Sequence, residues 1–171
     1  MAASTFWSDY TLQPKRKHKW LLYLRADLPA FVAKNVKKPS FEIGEFQHKF
    51  FGHSFYYPGS VEWKEMTMTL VDPMEPDVTR KLYEYLEGSG YSIPEKADEP
   101  HTISKKRAVD MLGAQVRLSQ FKGGDDDSPI ETFVLHNPWI KMVEFGDLDY
   151  TSDDFVEINL TLRYDYATLQ K

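Results

Sequence analysis

Four aspartates crowd residues 147–154 (DLDYTSDD), and closely spaced carboxylates are what a calcium loop needs. Against the loop pattern D-x-[DN]-x-[DN]-G-x5-E, Asp147 and Asp149 fit the first two ligand positions. Thr151 stands at the third, Ser152 replaces the glycine that permits the sharp turn, and Ile158 occupies the place of the bidentate glutamate. The segment therefore reads as a solvated acidic turn that launches a strand. Asp125-Asp126-Asp127, behind two glycines, read as a hairpin tip rather than a metal site. The histidines His18, His48, His53, His101 and His136 fall into no metal-ligand spacing, and the odd separation of His48 and His53 places them on opposite faces of an extended segment. There is no cysteine, no G-x-S-x-G elbow, no P-loop and no G-x-G-x-x-G. The expectation is a protein with no catalytic residue, no bound metal and no cofactor.

The aromatic run Phe50, Phe51, Phe55, Tyr56 and Tyr57 has the side chains of a base-stacking platform, but such platforms stand beside basic grooves and only Lys49 is adjacent. A core or subunit contact is the better reading. Basic runs occur elsewhere, at Lys15-Arg16-Lys17-His18-Lys19, at Lys34 with Lys37-Lys38, and at Lys105-Lys106-Arg107. They read as solvated faces or subunit contacts.

The elements that hold these residues are mostly strands. KWLLYLRADL (19–28) has apolar residues on both faces, the pattern of a strand covered on two sides, and FVAKNVKKP (31–39) is a weaker strand. Residues 41–72 form two long extended segments with turn signals at Gly52 and at Pro58-Gly59. In EPDVTRKLYEYLEG (75–88) the period changes: Val78, Leu82, Tyr85 and Leu86 share a helical face, Pro76 suits the first turn and Gly88 the left-handed cap. Residues 89–104 read as a long loop and 105–113 as one or two helical turns ending at Gly113. Strands at 114–121 and 131–140 pair across a Gly-Asp-rich hairpin loop, and 155–166, at about 3.3 Å per residue, make one strand of roughly 40 Å. The fold class is mainly β, an antiparallel sandwich or partly closed barrel with a packed helix and a long hairpin.

Length and composition fit this. A chain of 171 residues buries a real core, and 42% apolar with 15% aromatic residues exclude a disordered chain. The expected organisation is a polar arm over 1–18 and one β domain over 19–171. The formal net charge of -5 opposes tight, sequence-independent nucleic-acid binding, which depends on cations releasing counterions from phosphates. No run is long and apolar enough for a membrane span or a signal peptide, so no membrane insertion is expected.

VKKPSFE before a long hairpin, YYPGSVEWKEMTMTLVD running straight into a short helix, and HNPWIKMVEFGDLDYTSDDFVEINLTLRYDYA at the end occur in an order that resembles the tail tube proteins of contractile-tailed (T4-type) bacteriophages. The resemblance runs from about residue 19 to the end. It implies a β-sandwich protomer related to the tubes of type VI secretion and contractile injection systems. Such protomers form six-membered rings whose strands join into a continuous barrel, and stacked rings conduct DNA into the host. Implied partners are further copies of the chain, tail sheath and baseplate proteins, and DNA passing through the lumen without specific binding. The implied location is the virion tail, assembled in the host cytoplasm. A baseplate paralogue that initiates the tube shares the fold, and so does the tube of a type VI-like injection system. The arm at 14–19 and the loop at 89–104 depart from the family pattern.

On that reading, one face of two strands looks into the lumen: Glu65, Thr67 and Thr69, with Glu157, Asn159, Thr161 and Arg163. The opposite face, Met66, Met68, Leu70, Val156, Ile158, Leu160, Leu162 and Tyr164, is core. An acidic wall suits a conduit for DNA, and Arg163 is expected to be neutralised by Glu157 or Asp165. Two competing classes are a carbohydrate-binding sandwich using Trp7, Trp63 or Trp139, and a metal-dependent hydrolase built on the aspartates.

Overall fold

The computed structural model describes residues 15–25, 27–94, 102–122 and 128–170. Ten strands and two helices follow in the order β1 (Trp20–Tyr23), β2 (Ala33–Val36), β3 (Phe41–Phe50), β4 (His53–Trp63), β5 (Met66–Val71), α1 (Val78–Gly88), α2 (Lys105–Leu112), β6 (Gln115–Phe121), β7 (Pro129–His136), β8 (Trp139–Glu144), β9 (Glu157–Arg163) and β10 (Tyr166–Gln170). They build an antiparallel sandwich. One sheet has the order β1-β6-β7-β10, the other β2-β5-β9-β8, and β3 and β4 form a separate two-stranded sheet.

The strict alternation of β5 and β9 sets the core. Met66, Met68 and Leu70 pair in register with Leu162, Leu160 and Ile158, and all six are buried. Leu22, Leu118, Val116 and Leu135 face them from the other sheet. Removing each such side chain from water contributes about 1.5–3 kcal/mol, which is what holds the two layers together. Tyr164 completes the core as expected, whereas Val156 is only half-buried.

Two long strands expected from the sequence are each divided between the sheets. Residues 131–140 break at Asn137, whose φ is +52°, so β7 belongs to one sheet and β8 to the other. Residues 155–166 break at Asp165, and β9 and β10 likewise lie in different sheets. The two corners fasten each other: Asn137 Nδ2 donates to Asp165 Oδ2 at 3.0 Å, and the Asp165 N–H donates to the His136 carbonyl at 3.1 Å. Crossing both layers buries apolar residues that one 40 Å strand would leave projecting beyond the core.

Other expectations shift locally. In β1, Leu22 is buried but Leu21 and Tyr23 are exposed, because nothing among the described residues covers the outer side of that edge strand. A short 3-10 turn occupies Ala30–Val32 before β2. Helix α1 starts after Pro76: Asp77 is its N-cap, accepting from the Arg80 N–H at 2.8 Å, and the Asp72 carboxylate accepts from the Val78 N–H at 3.0 Å. Gly88 lies inside α1, where a Cβ would come within 2.5 Å of the Met111 side chain of α2. It permits close helix packing, and the positive φ of +111° falls to Gly90. Helix α2 ends as expected on Gly113 in the left-handed conformation. It packs against α1, β6 and β8. Pro58-Gly59 form no turn; they lie within β4 at an irregularity opposite Ile43–Glu45.

Candidate assembly surfaces

The hairpin β3–β4 is exposed on both faces along nearly its whole length. Its register explains the pattern. Between Ile43 and Glu45 on β3 the partner strand runs from Val61 to Pro58, one residue more, and a β-bulge of this kind exchanges the faces of the bulged strand. At the base, Phe41, Ile43, Val61 and Trp63 therefore share one face. Toward the tip, Phe46, His48, Phe50, His53, Phe55 and Tyr57 share the opposite one. Gly59 is required at the crossover, since a Cβ there would meet the Phe46 ring at 2.9 Å and the Gly44 carbonyl at 3.0 Å.

Of the aromatic run read from the sequence, the structure thus brings together Phe50, Phe55 and Tyr57. Tyr56 lies on the other face beside Gln47, and Phe51 sits in the two-residue turn with φ +46°. That turn places both central residues at positive φ, a conformation asparagine or glycine adopts without strain and phenylalanine does not. The ring of Phe51 is 87% exposed, edge-on to Phe50 at 4.4 Å. His48 and His53 lie on the same face, because the turn between them reverses the strand and cancels their odd spacing.

The outer face of the β2-β5-β9-β8 sheet is the second surface. Thr67 pairs with Thr161 and Thr69 with Asn159, and Thr69 Oγ1 donates to Asn159 Oδ1 at 3.1 Å. Glu65, Glu157 and Arg163 complete the expected set on this side. Thr161 shares the face but is 6% exposed, covered by its cross-strand neighbours Thr67 and Met142. The face is charge-balanced rather than acidic. Glu65 pairs with Lys141 and lies 3.8 Å from Arg163; Lys141 donates to its carboxylate and, with Arg163 near, holds it below the usual range. Glu157 pairs with Lys34. Arg163 is neutralised by Glu62 and Glu65, at 3.7 and 3.8 Å, and not by Glu157 or Asp165. Asp165 is already engaged by Lys105 at 2.8 Å and by Asn137, and these donors keep its carboxyl acidic.

A third surface is a groove of about 700 Å³ at the margin of the sandwich, between β2 and the sheet of β1, β6 and β7. Lys15, Lys17, Lys34 and Lys38 line it over a floor that includes Trp20 and Phe133. Glu131 bridges Lys15 and Lys38, and their N–H donors hold its carboxyl below the ordinary value of 4.5. The sequence shows these lysines only as separate runs; the fold collects them.

The acidic segment is an exposed loop between β8 and β9. Asp149 accepts from the Thr151 N–H at 2.9 Å and from its hydroxyl at 2.8 Å, which lowers its pKa, and Ser152 Oγ donates to Asp154 at 3.0 Å. The carboxylates thus shape their own turn, and among the described residues no group of three or more potential ligands converges on a metal position. Gly146, with φ +81°, closes the loop at its base, where a Cβ would stand 2.3 Å from the Glu157 carbonyl. Trp63 and Trp139 are partly buried around one cavity, with Trp63 set between Phe41 and Tyr164. Trp7, His101 and Asp125–Asp127 lie outside the described residues. No helix among the described residues is long and apolar enough to cross a membrane.

No family model matches the sequence, and no curated protein matches it. Solved structures do match. The chain superposes with TM-score 0.69 at 14% identity on a chain of the anti-feeding prophage tube-terminating cap, covering 98% of this chain and 99% of that one. A chain of the anti-feeding prophage baseplate, 6-fold symmetrised, gives TM-score 0.65 at 15% identity over 93% and 97%. One from the sheath/tube terminator of an extracellular contractile injection system, PVC, gives 0.66 at 13% identity over 94% and 99%. The chain therefore has the fold found in tube components of contractile injection assemblies. The sequence resemblance, to tail tube proteins related to secretion and injection tubes, holds at the level of that fold.

Proposed function

We propose that the protein is a structural, non-enzymatic tube subunit of a contractile tail or injection machine, assembling into six-membered rings with a polar lumen. The observation that carries this is the β2-β5-β9-β8 sheet. One face is core, the other polar and charge-balanced, and among the described residues β2 and β8 are both unpaired edges. Free edges on a small domain invite strand addition, and a closed ring satisfies them. The four strands alternate in direction, so β2 runs opposite to β8. Rotation about an axis along the strands sets β8 of one copy antiparallel to β2 of the next, continuing the alternation around a barrel. Glu65, Thr67, Thr69, Glu157, Asn159 and Arg163 then face the lumen, with Thr161 beneath them. A wall whose charges balance, Lys37 and Glu144 included, presents no net excess of cation to hold a polyanion, which suits passage of DNA in a phage tail. The hairpin tip, with Phe50, Phe51, Phe55 and Tyr57, supplies a contact between subunits.

The likeness to baseplate and tube-terminating chains supports a second form of the same role, a terminal ring rather than the repeating one. Electron microscopy of the purified full-length chain tests both: repeating subunits give long tubes, terminal subunits isolated rings. A uniformly monomeric protein at high concentration would sink the ring reading. Cryo-EM rings in which the Met66–Leu70 face lines the lumen would sink the assignment of faces.

A further inference from the structure

The acidic loop and the basic groove are complementary; within one copy only Asp154 comes near enough to Lys34 to act on it, and the two form no ion pair. We propose that the loop Asp147–Asp154 of one subunit docks into the Lys17–Lys34 groove of the next subunit in the ring. The inference rests on the ring reading above and adds the contact that orients neighbouring copies.

Charge comes first. None of Asp147, Asp149, Asp153 or Asp154 has a lysine or arginine within ion-pair distance among the described residues. Of the four groove lysines, Lys15 and Lys38 pair with Glu131 and Lys34 with Glu157, and Lys17 has no carboxylate within ion-pair distance among the described residues. Apolar surface is complementary too. The loop projects Leu148 at 89% and Tyr150 at 109% exposure between its aspartates, and the groove has Trp20 and Phe133 in its floor. Exposed apolar groups alternating with unpaired charges are what an interface with an apolar centre and polar rim requires.

Topology then brings the two together. The register Ala33↔Leu70, Val71↔Glu157 and Asn159↔Glu144 places the start of β2 and the end of β8 at the same end of the sheet. If β8 of one copy lies beside β2 of the next, at a spacing of about 4.8 Å, the loop leaving β8 emerges at the neighbour's Lys34. Eight extended residues pinned at both ends reach on the order of 13 Å, enough to enter the groove behind that edge. The contact is heterologous, loop to groove, the kind of interface that generates a ring when the rotation closes. Charge complementarity across it also fixes register and rejects a reversed neighbour.

The chain has no cysteine, so introduced pairs report unambiguously. Under oxidation the full-length double variant Tyr150→Cys with Lys17→Cys is expected to give a reducible ladder up to the ring, and each single variant at most dimers. Asp147→Lys with Asp153→Lys, which spares the Asp149–Thr151 turn, placed in that background, should abolish the ladder while leaving the melting temperature unchanged. Adding Lys34→Glu to the reversed loop should restore it. A second pair, Asn35→Cys with Met142→Cys, reads the strand seam without the loop. Rings and a seam ladder without a loop–groove ladder would overturn this inference and leave the ring reading standing. Neither rings nor a seam ladder would overturn both. A loop–groove ladder indifferent to charge reversal would overturn the electrostatic pairing.

Discussion

The sandwich and the β3–β4 hairpin have opposite relations to water. In the sandwich the alternation of β5 and β9 sends Met66, Met68, Leu70, Ile158, Leu160 and Leu162 into one interior, and the polar residues between them stay outside. In the hairpin the same alternation has no second layer among the described residues, so Phe46, Phe50, Phe55 and Tyr57 stay exposed. One region is complete by itself. The other is a strand pair with an apolar face that nothing among the described residues covers, and isolated two-stranded hairpins are marginal in water. That state is what the proposed contact between subunits would relieve.

Substitutions can break or sharpen that contrast. The largest effect is expected in the sandwich: Leu162→Ala should lower unfolding free energy by about 2–5 kcal/mol in denaturant titrations, the range for buried leucines. Gly146→Ala should cost about 1–3 kcal/mol, since the added Cβ meets the Glu157 carbonyl at a positive φ. Glu131→Gln acts through pH. Its carboxyl is held below 4.5 when folded, so its contribution is complete above that pH and is lost as pH falls through the lower folded value. The parent should therefore lose melting temperature on acidification below about pH 4.5 more steeply than the variant, as scanning calorimetry across pH 2–7 would read.

The smallest effect on stability belongs to the hairpin. Phe55→Ser should stay within about 0.5 kcal/mol of the parent as a monomer, as surface substitutions do, while rings are lost in electron micrographs. Phe51→Asn relaxes the strained turn and should raise stability slightly, again at the expense of assembly. A hairpin variant as destabilising as Leu162→Ala would abolish the distinction between the two regions.

Much of this was legible in the sequence, for reasons that differ by element. The two faces of β5 and β9 follow from period-two alternation, and α1 from its 3.6-residue period, because a single buried face leaves only one periodic solution. The failure of the calcium pattern at Ser152 and Ile158 was equally plain. The breaks at Asn137 and Asp165 were not, since each depends on a hydrogen bond to the other, 28 positions away. The partners of Arg163 were unreadable for the same reason: Glu62 is brought to it by the hairpin base, not by neighbourhood in the chain. The bulge that exchanges the hairpin's faces was hidden because Pro58-Gly59 carry a turn signature, and only pairing with Gly44 and Phe46 shows them inside a strand.

Local order, apolar faces and the acidic turn were thus determined by residue type and spacing, which act through nearest neighbours along the chain. Tertiary structure alone decided which strands share a sheet, which edges stay open, and that lysines from two separate runs and an acidic loop without ion pairs form complementary surfaces. Those outcomes depend on contacts between distant segments, whose energies no single stretch of sequence contains.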